Sequence, residues 1–184
     1  MLNKKIEPRK VLATEYLIRR PWLTARRDTL QLPDGRIHKE YYVLEYPDFV
    51  NVIAITKGGM YILEQQWRHA EGCLSTEIVA GVVEKGETPL EAAKRELQEE
   101  TGFGGGTWTP LMVTSPNSST VTNHCYSFIA EDVEQVSGQH LDATEDLSVM
   151  FATREEVFAK LQAGEFHQAM MVAPLWKYFY NLKG

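Results

Sequence analysis

The pattern of apolar and polar positions reads as strand over the first fifty residues. Residues 23–32 and 36–46 flank Pro33–Asp34–Gly35–Arg36, turn chemistry that suits a hairpin. VNVIAI (50–55) followed by KGGMYILEQQW (57–67) predicts a second hairpin, turning at Gly58–Gly59. STEIVAGVVEKGE (75–87) reads as a short strand running into a glycine-containing loop. Further strands are expected around 107–114, 122–131 and 146–152.

Helical signals are sharper. Thr88 is a good N-cap, Pro89 suits the first helical position and Glu91 completes a capping box. Leu90, Ala93, Leu97 and Thr101 share one stripe with Ala92 nearby, and Gly102 stops the helix as a C′ glycine. A second helix is expected near 154–163, with Thr153 or Arg154 at its start and Gly164 after its end. A last one spans about 167–182, where AMMVAPLWKYFY reads as core packing. Strands, helix, strands and two helices imply a mixed α/β domain with helices packed on a sheet.

Length and charge narrow the function. A chain of 184 residues is one domain, or one domain with a small appendage. A net charge of −6 argues against nucleic acid and anionic membranes as partners, both of which want a basic surface. Cys73 and Cys125 make no disulfide framework, and no C-x-x-C pair suggests zinc. MLNKKIEPRK has no apolar stretch behind it, and no run approaches the length that spans a bilayer. A soluble protein of a reducing cytoplasm is expected.

Within RELQEETGF (95–103), Glu96 and Glu100 lie one turn apart with Glu99 beside them. Like charges at that spacing weaken a helix by about 0.2–0.5 kcal/mol per pair. The apolar stripe lies elsewhere, so the carboxylates are expected to face out of the core. Alone, ELQEE suits a solvated acidic face. Yet Lys94 and Arg95 sit upstream, and no lysine or arginine follows until Arg154.

The wider spacing decides the matter. Residues 81–103 fit G-x5-E-x7-R-E-U-x-E-E-x-G-U, with U an apolar residue, at Gly81, Glu87, Arg95, Glu96, Leu97, Glu99, Glu100, Gly102 and Phe103. That is the Nudix box, and the chain resembles the Nudix hydrolases. Clustered carboxylates hold hard divalent cations such as Mg²⁺ or Mn²⁺, which relieve the repulsion, neutralise charge on a diphosphate and activate water. The resemblance makes Glu96 and Glu100 the principal metal ligands, with Glu99 a further or water-mediated one and the Ala80 carbonyl beside them. It pairs Arg95 with Glu87 so as to orient those ligands. Gly81 and Gly102 supply backbone freedom.

The box names a reaction class, cleavage of a nucleoside diphosphate linked to some moiety X. Other segments look like the ADP-ribose or ADP-sugar pyrophosphatase branch. LEQQWRHAEGCLSTEIVAG (63–81) is similar to that branch's Gln-x-Arg strand end, which makes Arg68 the arginine reaching phosphate or ribose. TSPNSS (114–119) resembles its Ser-Pro-Gly loop, with Ser115 a substrate contact and Asn117 in place of the glycine. Asn123 stands where a glutamate is common, and an amide there touches substrate only. LDATEDLSVMFATREEV (141–157) resembles the segment with a mobile catalytic carboxylate, for which Glu145 and then Asp146 are the candidates. Trp22 stacks on a nucleobase or is an interface or core residue, while Arg26, Arg27 and Arg36 add local positive charge or form a solvated strand face.

The resemblance implies a Nudix-type α/β/α sandwich with a mixed sheet. A small N-terminal antiparallel β segment, residues 1–48, would dimerise and complete the partner's site, ahead of a hydrolase domain at 49–184. The implied function is Mg²⁺- or Mn²⁺-dependent splitting of ADP-ribose into AMP and ribose 5-phosphate by a homodimer acting on nucleoside diphosphate sugars. A broader GDP-mannose or UDP-glucose hydrolase, a triphosphate house-cleaning enzyme and a nucleotide sensor without catalysis stand beside it.

Overall fold

The computed structural model describes residues 6–182; residues 1–5 and 183–184, at the ends of the two expected domains, lie outside the described residues. The chain forms two compact units. The first runs to Tyr46 and takes in Asn117–Asn123; the second comprises Pro47–Pro116 and the chain from His124 on.

The first unit is an antiparallel sheet of β1 (Lys10–Arg20), β2 (Leu23–Gln31) and β3 (Ile37–Glu45), in the order β1-β2-β3. The expected hairpin at residues 33–36 is present, and Gly35 closes it by donating to the Leu32 carbonyl. Segment 117–123 joins this unit through Leu44, whose N–H donates to the Thr120 carbonyl at 2.8 Å and whose carbonyl accepts from Thr122.

The second unit begins with β4 (Phe49–Thr56) and β5 (Tyr61–Arg68), followed by β6 (Cys73–Glu77) and β7 (Val79–Val82). Helix α1 (Pro89–Thr101) leads to β8 (Phe103–Gly104), β9 (Thr107–Thr114) and β10 (Cys125–Gln135). The strand β11 (Leu147–Ala152) and helices α2 (Arg154–Ala163) and α3 (Ala169–Asn181) complete it. The sheet is mixed: β4 and β10 run parallel, and the remaining pairs are antiparallel. Its spine is β11-β5-β4-β10-β8, with β6 on β5, β7 on β4 and β9 on β10.

Strand alternation explains the layers, because successive side chains point to opposite faces. Val52, Ala54 and Ile62 pack with Ala92, Ala93 and Leu97 of α1. Ile53, Tyr61 and Leu63 pack with Val157 and Leu161 of α2 and with Leu175, Tyr178 and Phe179 of α3. Helices therefore cover both faces, the expected α/β/α arrangement. One element departs from expectation. The segment read as one strand from residue 75 is two, split at the buried Ile78, because β6 pairs with β5 whereas β7 has moved over to β4. No helix among the described residues is long and apolar enough to cross a membrane.

Candidate active site

Helix α1 begins and ends as its sequence requires. The Thr88 hydroxyl accepts from the Glu91 N–H, and the Glu91 carboxylate accepts from the Thr88 N–H at 2.8 Å, a complete capping box. At the other end Gly102 adopts φ 76°, where a Cβ would meet the Ser137 carbonyl. The loop after β10 closes over this end. Gln139 donates to the Glu100 carbonyl and the His140 N–H to the Glu99 carbonyl, each at 2.8 Å. These bonds satisfy carbonyls that a helix C-terminus leaves open, and they anchor the loop that carries Glu145.

Arg95 is the hub of one polar network. Its Nε donates to Glu87 Oε1 at 2.8 Å and its Nη2 to Glu87 Oε2 at 3.1 Å, a two-point clasp. Nη2 also donates to the Val82 carbonyl at 2.9 Å, and Nη1 to Glu99 Oε2 at 2.9 Å. Nη1 lies 3.0 Å from Glu96 Oε1, which also accepts from the Val82 N–H at 3.1 Å. Arg95 thus ties the loop before the helix to two of the three glutamates. Gly81 makes room for this arrangement: a methyl group there would overlap the Glu96 carboxyl carbon and both of its oxygens.

Glu96 and Glu100 do not face solvent, as the helix pattern alone suggested. They are 8% and 4% exposed, because β7 packs over that face of α1. A third carboxylate joins them that the box does not include. Glu64 follows Ile62 on the α1-facing side of β5 and is 1% exposed. Neither Glu64 oxygen, nor Oε2 of Glu100, meets a hydrogen-bond partner at proper geometry among the described residues.

Burial first, then the charges of Glu64, Glu96 and Glu145, raises the Glu100 carboxyl far above the ordinary carboxylate range; the main chain at Ala80 works the other way. Burial likewise raises Glu64, where the adjacent Glu100 carboxyl and Arg68 oppose it and the charges of Glu77 and Glu96 add to it. Glu96 is raised by burial against the pull of Arg95. Two of these glutamates, with Glu99, also crowd the C-terminal half of a helix whose last turn carries no basic residue, where the backbone dipole disfavours negative charge. Orphaned buried carboxylate oxygens of one chemical type are what a hard divalent cation requires, so the residues present fit such an ion. Glu96, Glu100 and Glu64 would hold it, with Glu99 and the Ala80 main chain nearby.

The other candidates fall into two groups. Glu145 shares the second unit with the cluster and is close enough for its charge to act on Glu100. Its carboxylate accepts from the Asp142 N–H at 2.9 Å. Arg68 ends β5 with its guanidinium turned onto the buried Glu77, Nε to Oε1 at 2.7 Å and Nη2 to Oε2. Gln168 braces the same carboxylate at 2.8 Å. Ser115 is exposed just past β9. Trp22 and Asn123 belong to the first unit, Trp22 in the β1–β2 turn and 77% exposed. Arg26, Arg27 and Arg36 are each engaged by carboxylates, respectively Asp28 with Glu45, Glu15 with Glu40, and Asp34. Glu64 and Gln168 were not anticipated from the sequence, whereas Glu77 is the acidic residue of the Gln-x-Arg pattern ahead of Ala80–Gly81. The available signal for Glu64 was a carboxylate at an inward position of an apolar strand.

The nine box positions are gathered on β7, the loop after it, helix α1 with its cap and the start of β8, the arrangement of a Nudix-type hydrolase fold. The NUDIX domain model matches residues 46–173, and the chain belongs to that family. Residues 10–44 match the nucleoside diphosphate sugar hydrolase N-terminal domain. Among curated relatives, the chain is similar to ADP-ribose pyrophosphatase of Bacillus subtilis (strain 168), 31% identical over 163 residues, covering 87% of this chain and 86% of that one. It is also similar to a methanol dehydrogenase activator of Bacillus methanolicus, 28% identical with 91% of each chain covered. A solved ADP compounds hydrolase superposes with TM-score 0.87 over 99% of this chain and 98% of that one, at 24% identity, which speaks for the fold.

Proposed function

We propose that this protein hydrolyses the diphosphate linkage of ADP-ribose, or of a related nucleoside diphosphate sugar, to AMP (or the corresponding nucleoside monophosphate) and a sugar phosphate. The observation that carries this reading is the complete box folded onto a buried carboxylate cradle in which both Glu64 oxygens and Glu100 Oε2 lack partners. Glu64, Glu96 and Glu100 would hold a Mg²⁺ (or Mn²⁺) ion, which would supply charge neutralisation at the diphosphate and a lowered pKa for water. The chain's own residues do the rest. Arg95 holds Glu96 and Glu99 in place through its clasp on Glu87. Glu145, on the loop anchored to the end of α1, orients water and takes its proton. Attack at one phosphorus breaks the P–O–P bridge; the water oxygen stays on that phosphate, and the bridging oxygen leaves with the other.

In this reading Arg68 and Ser115 contact the diphosphate or ribose, while Trp22 and Asn123, from the N-terminal segment of residues 1–48 and the stretch beside it, reach substrate in a homodimer. Support for the dimer lies in β1, exposed along its whole length and carrying Val11, Leu12, Leu17 and Ile18 outward. Incubation with Mg²⁺ across a panel of nucleotide sugars, dinucleotides and nucleoside triphosphates, with products identified by mass, tests the reading. AMP and ribose 5-phosphate from ADP-ribose are expected. Saturable binding without product, or pyrophosphate released from a triphosphate, would replace it with a sensor or a triphosphate hydrolase.

A further inference from the structure

A second group of metal-binding side chains lies outside the glutamate cradle. The turn between β5 and β6 carries Glu71, β6 opens with Cys73, and the loop between α2 and α3 carries His167. Donor atoms of all three lie within 4.8 Å of one another. Cys73 Sγ is 3.7 Å from Glu71 Oε2 and 3.8 Å from His167 Nδ1, and His167 Nδ1 is 3.5 Å from Glu71 Oε2. A tetrahedral zinc with ordinary Zn–S, Zn–N and Zn–O bonds sets its ligands roughly 3.3–3.6 Å apart. The three edges therefore match a tetrahedral face to within a few tenths of an ångström, before any metal draws the donors together.

We infer that Glu71, Cys73 and His167 form a site for a borderline-soft divalent cation of the zinc class, with solvent at the fourth position. The donor set separates this site from the cradle. Thiolate and imidazole favour zinc over magnesium, whereas the cradle offers oxygen alone. The framework is also in place. The Glu71 and Gly72 N–H groups both donate to the Arg68 carbonyl, at 3.1 and 2.9 Å, which holds the turn. Next to His167, Gln168 is fixed on Glu77, the carboxylate that grips Arg68. A cation here, taken up with release of the Cys73 thiol proton to solvent, clips the turn of the β5–β6 hairpin to the loop ahead of α3. His167 lies 94 positions from Cys73, so no local ligand motif announces the site.

The inference is independent of the hydrolytic reading and is tested without turnover. Cobalt(II) is added to the full-length, metal-free, reduced protein at neutral pH while the near-ultraviolet spectrum is followed. One equivalent should produce a thiolate-to-cobalt charge-transfer band, which an all-oxygen site cannot give. The band should disappear in Cys73→Ser, lose at least tenfold in cobalt affinity in His167→Ala, and persist in Cys125→Ser and Glu100→Gln. Zinc should titrate it away and magnesium should leave it unchanged. No band in the wild type, a band surviving Cys73→Ser, or undiminished affinity in His167→Ala would each overturn the site.

Discussion

On α1, the side chains around Arg95 and those around Glu100 are built from the same residue type and reach opposite outcomes. Glu87, Glu96 and Glu99 share one guanidinium, with distances of 2.8–3.1 Å and a main-chain carbonyl completing the set. That network is closed by the chain itself. Around Glu100 and Glu64 there is burial, like charge and unmatched oxygen. A buried carboxylate without a partner is costly, and proteins retain one where a ligand completes it. The contrast shows where the molecule is finished by its own atoms and where buried oxygens are left without partners. Glu96 belongs to both sets, paired with Arg95 and near enough to Glu100 for its charge to act there.

Glu100→Gln should break the comparison most strongly. It removes a buried charge from the unpaired set, so hydrolysis under saturating Mg²⁺ should fall by more than about 100-fold, beyond the range for partners that act on a ligand indirectly. Metal-free thermal stability should be unchanged or higher, and a coupled fall in melting temperature would mean that Glu100 serves the fold. Arg95→Lys attacks the paired set. An ammonium cannot reproduce the two-point clasp on Glu87 while reaching Glu99 and Val82. Turnover should fall roughly 10- to 100-fold, and the melting temperature should also fall. Unchanged turnover in a less stable protein would confine Arg95 to a structural role.

The smallest effect concerns pH. Glu64, Glu96 and Glu100 all have carboxyls raised in the folded state above the ordinary 4.5. The stability this contributes is complete below 4.5 and is lost as pH rises through the raised values. Chemical denaturation of metal-free protein should therefore show stability falling from mildly acidic toward alkaline pH, and Mg²⁺ should flatten the slope. A metal-free slope of the opposite sign would show that the cluster carries its charge without difficulty.

Much of this was legible along the chain. The capping box at Thr88 and Glu91, the stop at Gly102 and the turns at residues 33–36 and 58–59 act over three to five residues, and each was found where expected. The box glutamates were equally plain, because a helix converts a spacing of four into one face. What local pattern misread was which way that face points. Glu96 and Glu100 are polar and off the apolar stripe, yet β7 arrives from elsewhere in the chain and buries them. The break at Ile78 was hidden for a related reason, since pairing with β5 or β4 depends on which neighbour is near.

Short-range chemistry, in which turn, cap and helical spacing are set by adjacent residues, was enough to assign the family and single out the three box glutamates. Contacts across long separations fixed the remainder: Glu64 beside Glu100, Arg68 on Glu77 with Gln168 behind it, and His167 next to Cys73. Local sequence does not encode such meetings, because the chain entropy given up to bring distant residues together is recovered only when the whole sheet and its helices pack at once.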